Sequence, residues 1–276
     1  MKSKFWVLLY LCCLLLWTAV AIQAVAADSA ESDAAMVEEK ATEAEDLRDP
    51  EALAELKRAT DFLVAQPRFQ FKARIFYDVI QEDGRRLQFE KSGEIFLQRP
   101  NQLYVESRRD DGRWRKLWYQ DKTLSIADLS QSLHTQIEAP PTIDGTLDLL
   151  EALIKEPQAL SDLLYSDLSH IEEHAIEADL VGDSIVNGQP CVHLSFRGET
   201  IDWQLWVEQG KTPFFRKVAV SYREAPGIPQ YVALVDDWET PERFSDDLFK
   251  FVVPKGSEWI KVLKPLPRKT GEGGQP

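Results

Sequence analysis

The sequence predicts an α+β domain in which a strongly curved antiparallel sheet of about eleven strands wraps around helices. After Pro67, apolar and polar residues alternate with a period of two in many segments, as in half-buried strands. Pairs of Gly, Pro, Asn and Asp separate these segments at short intervals, and such short connections join antiparallel neighbours. A leucine-rich stretch at 143–165 divides the strands into two blocks. So many strands cannot lie in a flat sheet, and strong curvature follows.

The first 26 residues have the composition of an export signal. Lys2 and Lys4 precede a largely apolar run at 5–22, and Ala24-Val25-Ala26 forms the small-x-small pattern that signal peptidase cleaves. We therefore expect a periplasmic protein that is cleaved after Ala26. The alternative is an uncleaved membrane anchor, because about 18 apolar residues are just long enough to cross a bilayer.

The mature chain is expected to begin with an acidic linker at 27–48. This segment is rich in Asp, Glu, Ala and Ser, so it cannot bury enough apolar surface to order itself. A folded domain is predicted at 49–265, followed by a disordered tail at 266–276. Its first helix begins at Asp49-Pro50-Glu51, which combines an N-cap, a first-turn proline and an acid at the positive end of the helix dipole. The apolar residues that follow recur at helical spacing: Leu53, Leu56, Ala59 and Leu63.

The strand blocks flank the helical stretch. The strand after Pro67 has one apolar face, formed by Phe69, Phe71, Ala73, Ile75, Tyr77 and Val79. In the second block, the segment IDWQLWVE has an apolar face of Ile201, Trp203, Leu205 and Val207, and Trp206 interrupts its polar face. Cys191 is the only cysteine after the signal segment, and we expect it to be a small buried hydrophobic residue.

The stretch at 143–165 predicts two helices. Leu147, Leu150 and Ile154 form one stripe, and Pro157 opens a second helix that carries Leu160, Leu163 and Leu164. Both helices are apolar on more than one face, as expected for elements packed between a sheet and another apolar surface. Simple capping of a solid core explains the same pattern equally well.

Four segments carry a resemblance to a known family: DPEALAELKRATDFL at 49–63, FYDVIQEDGRRLQFEKSGEIFLQRPNQLYVE at 76–106, WYQDKTLSIAD at 118–128 and TIDGTLDLLEAL at 142–153. They resemble domain of unknown function 2092, a family of predicted periplasmic proteins, from Asp49 to about Pro265. Gln98-Arg99-Pro100 and Gln120-Asp121 are variants of two of its motifs. The family is similar in layout to the LolA/LolB-like lipoprotein carriers. The resemblance implies an incomplete antiparallel barrel, a half-barrel with helices over a hydrophobic cavity, and no catalytic residues.

If such a cavity exists, large apolar side chains that point inward from strands and helices would line it. We expect the lining to include Trp118, Leu124, Ile126, Leu150, Ile154, Trp203 and Leu205. For any one of these residues, packing in a filled core is the simpler interpretation. An acyl chain of about a dozen carbons would gain roughly 10 kcal/mol on burial, at about 0.8 kcal/mol per CH₂, before ordering costs.

A basic segment, RRDDGRWRK at 108–116, surrounds a tight turn. Guanidinium groups match phosphate and carboxylate in geometry and charge, so the segment is a candidate docking site for an anionic head group or an acidic partner. The residues expected to act there are Arg108, Arg109, Arg113 and Arg115. The alternative is a solvated hairpin tip whose charge is partly neutralised by Asp110 and Asp111.

A second motif, HIEEH at His170–His174, fits the H-x-x-E-H pattern of inverted zinc peptidases. It lies where helices give way to strands, and no clear downstream helix supplies a third ligand. We expect exposed histidines on a short acidic helix and no bound metal, with a zinc-dependent hydrolase as an alternative.

The charge argues against one class of partner. Removing Lys2 and Lys4 takes the formal charge from −14 to −16, which is unsuited to nucleic acid. No phosphate loop, nucleophile elbow or convincing triad is present. The resemblance to the LolA/LolB-like carriers implies a ligand that is an acyl chain, lipid or lipoprotein, and with it we expect a periplasmic, non-enzymatic binding protein without cofactor. The alternative is an envelope sensor or scaffold that binds another protein through an exposed aromatic patch, for example at Trp206.

Overall fold

The computed structural model describes residues 46–154 and 159–261, and within them twelve strands form one sheet. Helix α1 spans Pro50–Val64. The first block of strands comprises β1 Arg68–Ile80, β2 Arg86–Gln98, β3 Gln102–Arg109, β4 Trp114–Gln120, β5 Thr123–Asp128 and β6 Leu133–Glu138. Helix α2 Ile143–Leu153, a 3-10 helix at Ala159–Leu164 and helix α3 Ser169–Glu173 follow. The second block comprises β7 Glu177–Val186, β8 Gln189–Arg197, β9 Ile201–Glu208, β10 Phe215–Tyr222, β11 Gln230–Glu239 and β12 Glu258–Trp259.

The sheet is open, curved and almost entirely antiparallel, which confirms the predicted fold class. Its strand order is β12-β6-β5-β4-β3-β2-β1-β11-β10-β9-β8-β7. The two-residue strand β12 lies parallel to β6 and brings the total to twelve, where the sequence predicts about eleven. It is too short for an alternation pattern, so the sequence does not reveal it.

Strand β1 joins the two blocks. It pairs along its whole length with β2 and, on its other edge, with β11. Ile75 therefore lies opposite Lys91 on one side and Ala233 on the other. Its alternating apolar residues Phe69, Phe71, Ala73, Ile75 and Tyr77 are all buried on one face of the sheet, the inward face.

Helix α1 starts where the sequence predicts. The Asp49 side chain accepts a hydrogen bond from the Glu51 amide at 2.8 Å, which satisfies one of the otherwise unpaired first-turn amides. The buried face of the helix consists of Ala52, Leu56, Ala59 and Leu63. Just before it, Arg48 forms a parallel bridge with Ala178 near the start of β7.

The helical segment after β6 packs on the inward face of the sheet. Thr142 caps α2 by accepting a hydrogen bond from the Gly145 amide at 3.2 Å. The residues that join the same core as the strands are Ile143, Leu147, Leu150, Leu160, Leu163 and Leu164. A 3-10 helix carries the last three of these residues, and the predicted start of the second helix at Pro157 lies outside the described residues.

Three further predictions also fall on residues outside the described ranges. They are the export signal, the acidic linker up to residue 45 and the tail at 266–276. Among the helices that the structure describes, none is both long and apolar enough to span a membrane. Cys191 is fully buried, as expected.

Candidate functional site

A cavity of about 580 Å³ lies between the inward face of the sheet and the segment formed by α2 and the 3-10 helix. Binding sites for small ligands usually measure about 300 to 1,000 Å³, so this cavity is large enough for a ligand. Strands from both blocks contribute to its wall. Its apolar lining includes Phe71, Ile75, Ile95, Leu103, Val105, Leu117, Ile126, Ile201 and Val220 from the sheet and Leu147, Leu150, Ile154, Leu160 and Leu164 from the helical side.

Strand alternation and register bring the apolar strand residues together. Val105 on β3 lies opposite Ile95 on β2 and Leu117 on β4, so the three side chains form one row across neighbouring strands. The next residue on β3, Glu106, points to the outward face. The row continues to Ile126, which is paired with Leu117.

A group of cations lines one part of the cavity: Lys91, Arg109, Arg113, Arg115 and Lys116. Lys91 on β2 lies directly opposite Arg109 on β3, and Arg115 on β4 lies opposite Ser107. The Arg109 side chain is only 13% exposed, whereas Arg113 and Arg115 are each 43% exposed. Arg109 is therefore the most buried of these three arginines, and the other two lie nearer to bulk water.

Another part of the wall carries acids and tyrosines. Its members are Glu151, Asp162, Tyr165, Tyr222 and Tyr231. Burial raises the pKa of Asp162 to about 6, the nearby Glu151 carboxylate raises it further, and His170 and His174 oppose the shift. Burial also raises the pKa of Tyr222 to about 12. The wall thus combines a neutral phenol with a carboxyl group that titrates close to neutral pH.

The structure brings three of the seven predicted lining residues together in the cavity. Ile126, Leu150 and Ile154 line its wall. Leu124, Trp203 and Leu205 point to the same side but are packed in the core, each no more than 6% exposed. The Trp203 ring stacks on Phe196 with centroids 5.4 Å apart.

Trp118 points the other way. Its neighbour Tyr119 is fully buried on the inward side, and successive strand residues face opposite sides. On the outward face, the Trp118 ring contacts Tyr104 and Phe251, with centroids 5.5 and 5.2 Å away. It borders a shallow outward depression of about 470 Å³ together with Phe249 and Phe251.

The four predicted docking arginines are divided between the two faces. Arg109, Arg113 and Arg115 line the cavity, whereas Arg108 lies on the outward face. There its guanidinium carbon lies 4.0 Å from the centroid of the Trp114 ring, and the side chain pairs with Glu106 at 3.0 Å. The division follows from strand alternation through Arg108 and Arg109.

The two histidines of the HIEEH motif lie on the short helix α3, which has no buried residue: His170 is in its first turn and His174 is its C-cap. The ring centroids of His170 and His174 are 6.3 Å apart. In residues 46–154 and 159–261, no three His, Cys, Asp or Glu side chains are grouped so that they could hold a metal ion. The geometry therefore gives no support to the zinc-hydrolase alternative.

Trp206 does not form an exposed aromatic patch. It is 7% exposed, stacked on His193 with centroids 4.1 Å apart, and the Lys217 ammonium nitrogen lies 4.0 Å from the centroid of its ring. Cys191 and Val186 complete a small outward cluster around it. This tryptophan is consequently unavailable as the protein-binding surface that the scaffold alternative requires.

The model of the DUF2092 family, described as a predicted periplasmic protein, matches residues 52–263. The chain belongs to this family. The family description agrees with the predicted periplasmic location of this DUF2092 protein. No match was found among curated proteins.

Solved structures with a similar layout share little sequence with this DUF2092 protein. Lipoprotein LppX of Mycobacterium tuberculosis is 12% identical, with a TM-score of 0.44 over 71% of this chain and 98% of that chain. LprF of Mycobacterium bovis is 10% identical, with a TM-score of 0.45 over 76% and 99%. A LolA superfamily protein of Nitrosomonas europaea is 12% identical, with a TM-score of 0.33 over 72% and 97%. These scores are too low to support an inference about function.

Several cavity residues of this DUF2092 protein were not predicted from its sequence. Lys91, Val105 and Leu117 all line the wall. The alternation of β3, with Leu103 and Val105 on one face, is a signal that could have identified Val105. Lys91 lies in the polar-looking segment FEKSGEIF, and only its register with Arg109 shows that it belongs to the inward face.

Proposed function

We propose that this DUF2092 protein binds the acyl chain of a lipid or lipoprotein, without catalysis, in the cavity between the sheet and the α2 and 3-10 segment. The observation that carries this proposal is the continuous apolar wall of the cavity. It combines inward-facing residues of both strand blocks, such as Val105 and Val220, with Leu150 and Ile154 from the helical side.

The chemistry of the wall suits a hydrocarbon chain. Each CH₂ group moved from water into an apolar site gains about 0.8 kcal/mol, so a ten-carbon chain gains roughly 8 kcal/mol before the cost of association and ordering. Hydrocarbon needs no hydrogen-bond partners, and the Ile95, Val105 and Leu117 row offers none. This part of the cavity therefore distinguishes ligands by their apolar contacts and chain length more than by specific polar contacts.

The test is a calorimetric titration of the full exported chain with 1-decanol, a neutral ten-carbon ligand. We expect saturable binding with one ligand per chain and a negative heat-capacity change, which marks the burial of apolar surface. Substituting Val105→Trp places a bulky ring in the cavity, and we expect it to weaken binding by about tenfold or more.

The matched control is Val181→Trp, the same change at a β7 position that is 55% exposed and does not line the cavity. We expect this variant to bind decanol as the unmodified protein does. The proposal is wrong if decanol does not bind up to its solubility limit, or if Val105→Trp binds as well as the control.

A further inference from the structure

The segment between β11 and β12 packs on the outward face of the first strand block, away from the cavity. The centroid of the Phe244 ring lies 5.8 Å from that of Phe96 on β2, and the centroid of Phe251 lies 5.2 Å from that of Trp118 on β4. Between these two anchors, Phe249 is only 3% exposed. The aromatic contacts therefore fix the path of this segment across the sheet.

A tight turn follows the last of these anchors and leads into β12. The Ser257 amide donates a hydrogen bond to the Pro254 carbonyl oxygen at 3.1 Å, and Gly256 has a φ of +79°, which the third position of such a turn requires. After the turn, the Glu258 amide donates to the Ser132 carbonyl oxygen at 2.8 Å. The backbone is thus held in place on both sides of the turn.

Two pairs of apolar residues flank this turn, and all four are exposed. Val252 and Val253 before it are 75% and 55% exposed, and Trp259 and Ile260 after it are 59% and 39% exposed. We call these four residues the turn patch. Eleven large apolar side chains are exposed in the described residues, and four of them are in this patch of nine consecutive positions. Isolated exposed apolar residues are ordinary, but a cluster of them on a fixed backbone marks an interaction surface.

Exposed lysines surround the turn patch. Lys255 lies within the turn, Lys261 directly follows Ile260, and Lys250 precedes the patch by two positions. The sequence from 250 to 269 contains six lysines and arginines and one acid, Glu258, a formal charge of +5 in a chain whose net charge is −14. This part of the chain is therefore suited to an anionic surface, although the protein as a whole is acidic.

The surface of an anionic membrane matches both properties of this region. Apolar side chains enter the boundary between head groups and acyl chains, tryptophan is favoured at that depth, and lysine ammonium groups reach the head-group phosphates. A symmetric pair of copies joined through the turn patch would instead bring the lysines of the two copies together, and like charges repel. The combination of apolar and basic residues therefore favours a bilayer over a second copy of this chain.

We infer that the turn patch and its lysines, Lys255 and Lys261, dock this DUF2092 protein on the surface of a membrane that contains anionic phospholipids. None of these residues lines the cavity. The inference therefore goes beyond the proposed acyl-chain binding and does not depend on it.

The test is sedimentation of the full exported chain with two kinds of lipid vesicle at low salt. One kind consists of phosphatidylcholine alone, and the other also contains about 30% phosphatidylglycerol, which is anionic. We expect the anionic vesicles to bind the protein about tenfold or more tightly than the neutral ones, because each lysine near an anionic surface adds to the attraction. Raising the salt concentration should reduce this difference, since salt screens exposed charges.

Two variants locate the docking surface. Val252→Asp and Lys255→Glu are each expected to weaken binding to the anionic vesicles by about tenfold, the first by removing apolar contact and the second by reversing a charge. The matched control for the first is Ile185→Asp on β7, at the other end of the sheet, because Ile185 is 74% exposed and Val252 is 75% exposed. The control for the second is Lys211→Glu, an exposed lysine between β9 and β10. Both controls should bind the vesicles as the unmodified protein does.

Trp259 provides a separate readout of contact with the bilayer. Brominated phospholipids quench tryptophan fluorescence only at close range, so we expect them to quench part of the emission of the bound protein. Trp259→Phe should remove this quenched part and still bind the vesicles, because phenylalanine keeps an apolar ring at the same position. This measurement does not depend on a loss of binding.

Several results would overturn the inference. They are absence of binding to the anionic vesicles, equal binding to neutral and anionic vesicles, and equal losses in the turn-patch variants and their controls. Self-association that Val252→Asp abolishes, without binding to vesicles, would show instead that the patch joins two copies of the chain. Titration of the same proteins with decanol keeps the two proposals distinct: vesicle binding without decanol binding contradicts only the acyl-chain proposal, and the reverse contradicts only membrane docking.

Discussion

Glu106 lies on the outward face of β3 at the centre of a polar cluster. Its carboxylate accepts hydrogen bonds from the Trp114 indole at 2.8 Å, the Tyr104 hydroxyl at 3.0 Å and the Arg108 guanidinium at 3.0 Å, and pairs with the Lys116 ammonium at 2.9 Å. Burial by itself raises the pKa of Glu106, but these partners outweigh it and lower the pKa to about 2. The cluster stabilises the charged form of this side chain.

A lowered pKa means that Glu106 contributes stability above its unfolded pKa, and that this contribution disappears as the pH falls toward about 2. The shift corresponds to roughly 3 kcal/mol at neutral pH. We expect Glu106→Gln to lower the free energy of unfolding by about 2 to 3 kcal/mol near pH 7 and by much less in acid. Urea unfolding at several pH values measures this.

The control for this prediction is Glu82→Gln, in the exposed turn between β1 and β2. At every pH, the Glu82→Gln variant should have nearly the same free energy of unfolding as the unmodified protein. An acid dependence that is the same in Glu106→Gln and in the unmodified protein would show that the cluster does not act in this way.

The pKa of Asp162 is shifted in the opposite direction, upward. Its pKa rises to about 6 because the surrounding protein withdraws it from bulk water, although it remains accessible. A hydrocarbon ligand in the cavity would remove more water from this carboxyl and favour its protonated form. We therefore expect decanol to bind more tightly at a pH of about 5 than at about 8, and Asp162→Asn to bind similarly at both.

Decanol is the appropriate ligand for this comparison because it has no ionisable group. His170 and His174 lower the pKa of Asp162, so the neighbouring helix also affects this carboxyl, and Asp162→Asn is compared with Glu173→Gln, an exposed acid of that helix. The Glu173→Gln variant should still bind decanol more tightly at the lower pH. If Asp162→Asn also shows this pH dependence of decanol binding, Asp162 is not the group that causes it.

At the scale of elements, strand β5 contains a packed position and a cavity position on the same face. Leu124 is fully buried in the core, whereas Ile126, two residues later, is part of the cavity wall. Removing side-chain atoms from a filled core forfeits contacts on every side, and a residue beside a cavity has fewer contacts to lose.

We therefore expect Leu124→Ala to lower the free energy of unfolding by about 3 kcal/mol and Ile126→Ala by about 1 kcal/mol. Chemical denaturation of both variants measures the difference. Ile126→Ala should also enlarge the cavity and shift its preference toward longer alcohols. Equal destabilisation by the two changes would mean that Ile126 is packed as tightly as Leu124.

A comparison of α1, the 3-10 helix and β12 shows which elements local sequence patterns predict correctly. Helix α1 was predicted from its cap and its apolar spacing, since both signals are local. The second helix predicted in the stretch at 143–165 is instead a 3-10 helix. The spacing of its buried leucines, Leu160, Leu163 and Leu164, is compatible with an α-helix as well as with a 3-10 helix, so the pattern does not distinguish them. Strand β12 depends on its pairing with β6, because two residues have no intrinsic preference strong enough to form a strand.

At the scale of the whole molecule, the pairing of β1 with β11 joins two blocks that are far apart in sequence. This pairing makes one sheet of the two blocks, and the cavity needs both, because Ile75, Val105 and Val220 all line it. The position of α2 and the 3-10 helix then decides how much of the inward face is filled. The apolar wall and the cations meet only because of this assembly.

The sequence by itself determined the curved antiparallel sheet, the helix at 50–64 and the face on which most apolar residues lie, because alternation, caps and turns are local properties. The family followed from the resemblance of four segments to its other members. The sequence also indicated the arginine segment at 108–116 as a docking site, and that role stays a prediction. Only the tertiary structure decided that Ile126 lines the cavity while Leu124 and Trp203 are packed, that Arg109 points inward and Arg108 outward, and that Lys91 faces Arg109. These outcomes depend on strand register and on where the helical segment packs, and neither is set by the residues nearby in sequence.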